Sequence, residues 1–425
     1  MTATSAPAGD VHEFADVQRR TLNVLRLGVV PVQAAVAGTL AVVSLLASDM
    51  LGSDRLAGVA SAAFTLGSAM VAVPLAAHMR RHGRRPGLVL ALSTGVVGAG
   101  IAALGGQLRW FPLYIAGMFV FGSGQAAGLQ ARYVGADLAR EADRARAIGT
   151  VVWVGTIGAV IGPIVTPLQK DAGTALGLDE YVGPFLFAAV LFAIGAAVYA
   201  ALLRPDPLVL VGGTDPHAER VKPLRQLRTS YGVIRMSPRA VLGIVSMAGS
   251  QAAMVAVMTM TPPHMKDHGH ADLSAVVIAV HIFGMFGLAP FVGRFVDRVG
   301  AVRAAQIGAG VLASSTVVTV VAGYAPVMIF VGLFLLGLGW NIGLISGTTL
   351  LTSSVPLEAR VQAQGTGDLT LSVCGAVAAF SSGFVKQSAG FHILANVATA
   401  LAAAMLVFAW YTRSKLSADP APASA

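Results

Sequence analysis

The stretch that decides the fold is FVFGSGQAAGL at residues 119–129, because the chain repeats its pattern as FLLGLGWNIGL at residues 334–344. A phenylalanine, three glycines and a leucine recur in the same spacing, 215 residues further on. Two other blocks repeat at nearly the same distance: Leu56, Gly67 and Gly83 in Leu273, Gly284 and Gly300, and RARAIGT of 144–150 in RVQAQGT of 360–366. This agreement predicts a duplicated chain with two related halves and one interface between them.

Composition places the duplicated chain in a lipid bilayer. Hydrophobic residues make up 55% of the chain and charged residues only 12%, whereas a soluble domain has about 25% charged residues. Twelve apolar runs are near or above the ~20 residues that cross a bilayer core as a helix, which satisfies its own backbone in lipid. They lie at about 27–48, 56–79, 87–106, 110–134, 148–169, 183–203, 239–262, 273–296, 304–323, 326–353, 362–385 and 390–412. The sequence therefore predicts an all-α membrane protein with 12 transmembrane helices in two pseudo-symmetric six-helix bundles.

The basic residues predict the orientation. With the N-terminus inside, 24 of the 29 lysines and arginines fall on the inner side of the alternating helices, and five fall outside. Because positive loops stay in the cytoplasm, we expect both termini to be cytoplasmic in a plasma or inner membrane. The net charge of +9 is thus a signal of topology. A nucleic-acid interface, which needs a soluble basic face, is not expected.

The runs divide the chain into five predicted segments. These are a cytoplasmic N-terminal segment (1–26), a six-helix bundle (27–203), a polar cytoplasmic linker (204–238), a second six-helix bundle (239–412) and a cytoplasmic tail (413–425). Cys374, the single cysteine, lies in an apolar run, so no disulfide framework or cysteine-based metal site is predicted. The polar first segment does not read as a signal peptide. We expect no cofactor and a monomer.

Two loops carry a family resemblance. The loop after the eighth predicted helix resembles the Gly-x-x-x-Asp-Arg/Lys-x-Gly signature of the major facilitator superfamily, with Gly293, Asp297, Arg298 and Gly300. The loop after the second helix keeps Arg81, Gly83, Arg84 and Arg85 but has Ala76 and Arg80 for the glycine and the aspartate. The resemblance spans essentially all twelve helices. It implies two bundles that rock between inward-facing and outward-facing states, with these loops as a gating contact on the cytoplasmic side.

Physical chemistry supports a gating role for Asp297. A carboxylate at the N-terminus of a neighbouring helix is favoured by the helix dipole, typically by 0.3–1 kcal/mol. Asp297 has the spacing for this contact, with Arg298 or Arg144 as its charge partner. Arg80 cannot form it, so the first-half contact is expected to be weak or built differently. For the arginines of that loop, anchoring by the positive-inside rule is the alternative interpretation.

The fifth predicted helix carries a second resemblance. Gly149, Gly158, Gly162 and Pro163 are spaced as in the helix 5 motif of the drug/proton antiporter branch, although Thr166-Pro167 replaces its closing Gly-Gly. A proline inside the helix bends it, which suits a flexible wall; a kinked packing helix is the plain alternative. The resemblance implies proton-coupled efflux.

Two departures keep uptake of a small organic solute open as the alternative. Met118 stands where the antiporter branch has an arginine in helix 4. In helix 1, Gln33 is the only strongly polar mid-helix side chain, where many multidrug members have a buried acid.

Two titratable side chains inside predicted spans are candidates for proton coupling, because ionisable groups in a membrane are costly and usually functional. Asp368 lies about two turns into the eleventh helix, and a carboxylate bonded to Arg360 or to a helix end is the alternative. His281 lies in the middle of the eighth helix. Histidine is the side chain best suited to titrate near pH 7, and a buried neutral histidine is the alternative.

Sparse polar and aromatic side chains at mid-depth predict a substrate cavity, since small-molecule pockets are apolar with a few placed polar groups. The candidates are Gln33, Gln125, Gln130, Arg132, Trp153, Gln251, Trp340 and Asn341, with an interfacial anchor as the alternative for Arg132. In an external loop, His264, His268 and His270 have a spacing that could bind Zn²⁺. Short His-rich loops also bind metal adventitiously, so no metal site is predicted.

The repeat, the spans and the resemblance together predict a transporter, because internally repeated membrane proteins commonly bind a substrate between their halves. Its partners would be the lipid bilayer, a small organic molecule and protons. The chain has no G-x-x-x-x-G-K-[ST] signature for direct use of ATP, and no arrangement of nucleophile and base that indicates an enzyme. The rival from another class is a transport-inactive membrane sensor on the same scaffold, which the degenerate first loop favours.

Overall fold

The computed structural model describes residues 14–52, 57–217, 222–267, 274–321 and 326–418, and their regular structure is helical throughout. In chain order the helices are α1 (Ala15–Leu40), α2 (Val43–Leu51), α3 (Ala57–His82), α4 (Arg84–Gln107), α5 (Phe111–Asp137), α6 (Arg144–Ala175), α7 (Gly183–Leu202), α8 (Pro207–Leu210), α9 (Pro223–Arg235), α10 (Pro238–Asp267), α11 (Ser274–Ile282), α12 (Ala289–Val299), α13 (Ala301–Val321), α14 (Pro326–Ser353) and α15 (Leu357–Ala418). A 3₁₀ turn at Glu141–Asp143 precedes α6, and a π-helical turn at Phe283–Gly287 joins α11 to α12.

The described part of each of the twelve predicted runs lies mainly on helix, but runs and helices do not correspond one to one. The first run covers α1 and α2, and the eighth covers α11 and α12, which bend by 44° at their junction. The last two runs share α15, whose only non-helical residue is Gly390, with φ of 84°. Within the described ranges, nine helices are long and apolar enough to cross a membrane, or up to ten when the bent pair counts as one span.

The outer surface of these spans is apolar. Ile164, Leu168 and Phe380 are 70%, 66% and 74% exposed. Apolar surface on this scale needs a hydrocarbon environment. Helix α5, which contains Gln125, Gln130 and Arg132, is not among the nine spans.

The sequence repeat returns as a repeat of backbone contacts. A Cβ atom on Gly67 would meet the carbonyl oxygen of Phe119 at 1.8 Å, and one on Gly284 would meet that of Phe334 at 2.5 Å. The reciprocal contacts are Gly122 on Phe64 and Ser68, and Gly337 on His281 and Met285. Both halves therefore use the same close helix crossing, α3 with α5 and the α11–α12 junction with α14, which small residues permit in a membrane.

Each half has its own apolar core, and a third cluster joins the halves. One buried cluster is drawn from residues 24–208 with Val361, and the second from residues 234–405. The third packs Ala145 and Ile148 of α6 against Ala289 and Val292 of α12. The halves meet through α3 with α15 and α6 with α12. We call the end of the molecule where residues 83 and 300 precede α4 and α13 the basic end.

The connector of residues 204–238, predicted as a polar linker, contains the helices α8 and α9. Helix α9 packs against both halves. Gln226 donates to the carbonyl oxygen of Val73 in α3 at 3.2 Å, and the Tyr231 hydroxyl lies 2.5 Å from that of Thr370 in α15. The connector therefore covers the basic end.

Candidate functional site

A cavity of about 390 Å³ lies between the two halves and is lined by residues of both. Five predicted residues line it: Gln33, Gln125, Arg132, Gln251 and Trp340. The remaining wall is mostly apolar and includes Val29, Phe64, Val151, Met254, Met285, Phe286, Leu344 and Leu371. Its volume and composition are those of a small-molecule pocket, for which about 300–1,000 Å³ is usual.

Gln130, Trp153 and Asn341 were also predicted to line the cavity, but none of them is among its lining residues. Val151 and Gly155 of α6 line the cavity, whereas Trp153 points away from it and is 41% exposed. Asn341 is fully buried behind Trp340, and its Nδ2 donates to the carbonyl oxygen of Gly284 at 3.4 Å. Neighbouring residues on a helix face different sides, and the prediction selected residues by polarity without regard to the side that they face.

The polar groups of the cavity are incompletely hydrogen-bonded. Trp340 Nε1 donates to Gln251 Oε1 at 2.7 Å, and the Trp340 ring packs edge-on against Phe286. The Oε1 atoms of Gln33 and Gln125 are buried without a partner among the described residues. An unsatisfied buried polar group costs about 1–3 kcal/mol. These two amides are therefore placed to hydrogen-bond a bound molecule.

Arg132 lies at the cavity floor and pairs with Asp368 of the other half. The two residues are 3% and 1% exposed. Arg132 Nη2 and the Tyr133 hydroxyl donate to Asp368 Oδ1, the latter at 3.2 Å, and Gln130 Nε2 donates to Oδ2 at 2.9 Å. In the part of the chain that the structure describes, α5 supplies these partners; Arg360 and the helix end considered for Asp368 do not.

A second buried ion pair extends this arrangement toward the basic end. Arg84, with no exposed surface, donates from Nε and Nη2 to the two carboxylate oxygens of Asp137 at 2.8 and 3.1 Å. It also donates to Gln130 Oε1 at 3.1 Å and, across the interface, to Gln364 Oε1 at 2.7 Å. Buried charges need such pairing. We call Arg84, Gln130, Arg132, Tyr133, Asp137, Gln364 and Asp368 the charge network.

Sequence reasoning singled out Asp368 and named Gln130 and Arg132 as cavity candidates, but it missed Tyr133, Asp137 and Gln364 and the pairing of the whole network. Arg84 was assigned to the gating loop, with anchoring as the alternative, but its side chain is among the largest that are fully buried. One signal was present: Gln130, Tyr133 and Asp137 share one face of α5 at i, i+3 and i+7. Their partners Arg84 and Asp368 lie 46 to 238 positions away along the chain, so no local spacing identifies them.

His281 lies apart from the cavity and from the charge network. It has no exposed surface, and its Nδ1 donates to the carbonyl oxygen of Leu333 at 2.8 Å. It is not one of the cavity-lining residues. This position fits the alternative of a neutral, hydrogen-bonding histidine inside the second half.

Asp297 caps the first turn of α6 across the interface between the halves. Its Oδ1 accepts from the backbone N–H of Ala145 at 3.0 Å, and its Oδ2 accepts from that of Arg146 at 2.8 Å. The approach requires glycine, because a Cβ on Gly293 would meet the Ala145 carbonyl oxygen at 2.6 Å. The contact predicted from the signature is therefore present.

The other loop residues have plainer roles. The predicted charge partners of Asp297, Arg298 and Arg144, form no ion pair with it within 4 Å, counted over the described residues. Gly300 ends α12 with φ of 83°, a left-handed conformation that favours glycine. Arg81 is half-buried at the end of α3.

Replacing Asp297 with asparagine should shift the molecule toward states separated at the basic end. Asparagine offers one acceptor oxygen instead of two and no charge for the helix dipole, whose effect of about 0.3–1 kcal/mol corresponds to a roughly two- to fivefold shift. Spin-label distances between the exposed positions Arg140 and Arg303, in a Cys374→Ala background, measure it. The control is Asp143→Asn, an exposed carboxylate beside the same helix start without a capping bond. Equal shifts in both variants would contradict the role of Asp297.

The matching loop of the first half is built differently, in the way that Arg80 led us to expect. Asp206 of the connector supplies the carboxylate, and its Oδ2 accepts from the backbone N–H of Arg85 at 2.7 Å. Gly83, with φ of 97°, starts α4 beside it. Arg80 pairs with Asp215 at 3.3 Å. The connector therefore holds this loop.

The helix 5 motif marks two close crossings of α6. A Cβ on Gly149 would lie 2.4 Å from the carbonyl oxygen of Ala289, the first residue of α12 in the other half. On Gly158 and Gly162, a Cβ would lie 2.1 and 2.5 Å from carbonyl oxygens of α1. Pro163 lies inside the helix. The motif thus holds α6 between its own half and the other half.

The histidine cluster is only partly described. His264 is buried, and its ring stacks on Phe391 with centroids 4.1 Å apart. His268 and His270 lie outside the described residues. Where the structure describes the chain, no group of three His, Cys, Asp or Glu side chains could hold a metal ion.

Comparison with known proteins gives the family. A model of the Major Facilitator Superfamily matches residues 27–379. The chain belongs to the major facilitator superfamily. It is 34% identical over 400 residues to the uncharacterized MFS-type transporter YdeG of Bacillus subtilis, covering 93% of each chain. It is 29% identical over 345 residues to the riboflavin transporter RfnT of Brucella anthropi, covering 81% of this chain and 83% of that protein.

Solved structures of major facilitator superfamily transporters share the fold. The human organic anion transporter MFSD10 superposes with a TM-score of 0.76 at 17% identity, over 92% of this chain and 99% of that chain. The proton:xylose symporter XylE gives 0.74 at 13% identity, over 93% and 96%. At these identities the likeness shows the fold alone. The protein is therefore a multi-pass membrane transporter and not an enzyme.

Proposed function

We propose that this major facilitator superfamily transporter moves small organic molecules by proton-coupled alternating access, with Asp368 as the proton carrier. The observation that carries the proposal is the position of Asp368, a buried carboxylate bonded across the interface just below the cavity. A group in this place is sensitive both to what fills the cavity and to the contact between the halves. Ionisable side chains inside membrane segments commonly form proton relays.

The charge network supports a cycle. With Asp368 ionised, its bonds to Arg132 and Gln130 join the halves below the cavity, and Asp297 joins them at the basic end. Protonation of Asp368 removes the charge that holds Arg132 and favours separation there. If the basic end is cytoplasmic, the described conformation faces outward. The moving bodies are then the bundles of residues 27–203 and 239–412 of a monomer in the cell membrane, with both termini in the cytoplasm.

Two directions of transport are compatible with this cycle, and each has an observation in its favour. The Gly158–Pro163 stretch of α6 supports efflux by proton antiport, as in the antiporter branch that it resembles. Arg132 at the cavity floor favours the second candidate, uptake of a solute together with a proton. The named substrate of RfnT makes riboflavin a direct compound to test.

Replacing Asp368 with asparagine should abolish accumulation driven by a proton gradient, because asparagine keeps the shape but neither binds nor releases a proton at physiological pH. The measurement uses the full-length protein in proteoliposomes with an imposed pH gradient. The probes are riboflavin (neutral), ethidium (cationic) and 1-naphthoate (anionic). Exchange of labelled for unlabelled probe at equal pH moves no net protons and should persist in the variant.

His281→Gln is the matched control, a second buried titratable side chain removed from the cavity, and it should keep the coupling of wild type. Undiminished gradient-driven accumulation by Asp368→Asn of a probe that wild type accumulates would contradict the proposal. Binding of a probe without any flux would favour the membrane sensor instead.

A further inference from the structure

Among the described residues that line the cavity, Arg132 is the only one with a charged side chain. Its anionic partner, Asp368, is not a lining residue and lies one helical turn below Leu371 and Ser372, which are. The cation therefore faces the cavity, and the carboxylate compensates it from behind. Arg132 Nε also has no hydrogen-bond partner among the described residues. The floor of the cavity thus presents a guanidinium with unused bonding capacity.

The charge of this floor depends on one proton. The charge network contains two cations, Arg84 and Arg132, and two anions, Asp137 and Asp368. Protonation of Asp368 leaves Arg132 as a desolvated charge without a counterion, because Asp137 is fully engaged by Arg84. Such a charge is costly in a low-dielectric interior.

Few other groups face Asp368. Arg132 and Tyr133 of α5 contact it directly. Arg84 is linked to it through Gln130 and also bonds Gln364, and Asp137 pairs with Arg84. Tyr231 of α9 contacts the nearby Thr370. From α14, Thr352 contacts Gln364. None of these supplies a second anion to Arg132.

We propose that the substrate is an organic anion whose acidic group binds Arg132 when Asp368 is protonated. This rests on the proposed function and names the substrate class of the same cavity. The proton and the anion bind together: the proton frees Arg132, and the anion supplies the counterion that the proton removed. By linkage, each then raises the affinity of the other by the same factor. The planar guanidinium suits a carboxylate, which it can bind through two parallel hydrogen bonds.

The other residues that line the cavity indicate the chemistry of the rest of this anion. Phe64, Phe286 and Trp340 offer flat apolar surface, which suits a planar ring. The amides of Gln33 and Gln125, with their unpartnered oxygens, suit hydrogen-bonding substituents. The cavity therefore fits an aromatic carboxylate better than a cationic drug.

Joint binding fixes the relative direction of movement. One proton and one monoanion cross together without net charge, so an inward proton gradient drives uptake. This differs from the efflux that the helix 5 motif implies.

The test compares 1-naphthoate, which stays ionised throughout the range, with neutral 1-naphthamide. Binding to the full-length transporter in lipid nanodiscs is measured by calorimetry from pH 5.5 to 8.5. We expect naphthoate affinity to rise by up to about tenfold for each unit that the pH falls, with up to one proton taken up per bound anion. Naphthamide should bind more weakly and independently of pH.

Variants assign the effect to the two residues. Asp368→Asn should bind naphthoate with the low-pH affinity of wild type at every pH, because Arg132 has lost its internal carboxylate. Arg132→Gln should lose at least about tenfold in naphthoate affinity. Arg132→Gln with Asp368→Asn should show the same loss and leaves no lone buried carboxylate. Arg80→Gln, which removes an arginine remote from the cavity, should bind as wild type does.

The inference would be overturned if naphthamide bound as tightly as naphthoate, if wild type bound naphthoate independently of pH, or if binding released protons. It would also be overturned if naphthoate bound neither to wild type at low pH nor to Asp368→Asn. Failure here is distinguishable from failure of the proposed function. Accumulation of riboflavin or ethidium that depends on Asp368 would leave proton coupling standing while the anion is rejected. Proton-coupled binding of naphthoate without flux would leave the anion inference standing while transport is rejected.

Discussion

Replacing Arg84 with methionine should destabilise the folded protein by about 3–5 kcal/mol, the range for removing one partner of a buried ion pair. Methionine is apolar and of similar length, but it leaves Asp137 as a buried carboxylate without a cation. It also removes the bonds to Gln130 and Gln364, the second of which crosses between the halves. Denaturant unfolding in detergent micelles measures the loss.

Two further variants separate burial of the charge from charge itself. Arg84→Met with Asp137→Leu should recover a large part of the stability, because an apolar pair often replaces a buried ion pair at little cost. Arg80→Gln removes an arginine of the same loop whose partner, Asp215, is 44% exposed. Its loss should stay below about 1 kcal/mol. Equal losses for Arg84→Met and Arg80→Gln would show that the buried network is not what stabilises this region.

Gly67→Ala should destabilise the protein by more than the about 1–3 kcal/mol of ordinary overpacking. Its Cβ would lie 1.8 Å from the carbonyl oxygen of Phe119, and a backbone atom cannot rotate away as a side chain can. Helices α3 and α5 would have to separate, and with them the wall that carries Phe64 and Gln125. The yield of monodisperse protein on size exclusion, together with denaturant unfolding, measures the effect.

Gly100→Ala on helix α4 is the matched control, because a Cβ on Gly100 would meet nothing within 4 Å. It should stabilise the protein by about 0.5–1 kcal/mol, the advantage of alanine over glycine inside a helix. Gly284→Ala, the equivalent of Gly67 in the second half, should destabilise less because its closest contact is 2.5 Å. A Gly67→Ala protein as stable as wild type would refute the close crossing.

The charge network connects the cavity with the basic end. Its cavity member is Arg132. Its member at the basic end is Arg84, which directly follows Gly83 and pairs with Asp137. Gln130 bridges the two ion pairs, since it accepts a hydrogen bond from Arg84 and donates one to Asp368. A change of charge at Asp368 therefore reaches Arg84 through one amide. This continuity gives the proposed coupling a physical route.

The candidate site was predictable in part. Polarity in an apolar helix identified Gln33, Gln125, Gln251, Trp340 and Asp368, because a polar side chain inside a span needs a partner or a cavity. The same criterion misplaced Trp153 and Asn341, since it says nothing of which side of the helix faces the cavity. For Arg84 the position beside a loop suggested an anchor, and only its burial against Asp137 shows otherwise.

The sequence by itself determined the membrane class, the duplication and the contact at Asp297. These depend on composition, on a repeat and on a spacing, all of which are properties of the chain in one dimension. The crossings at Gly67 and Gly284 are the same repeat seen as contacts. Only the tertiary structure decided that Arg132 and Asp368, 236 positions apart, share a bond below a cavity, and that Asp206 replaces the carboxylate missing at Arg80. The physical reason is that a buried charge is satisfied by whatever counter-charge packing brings near it, and distance along the chain does not encode that packing.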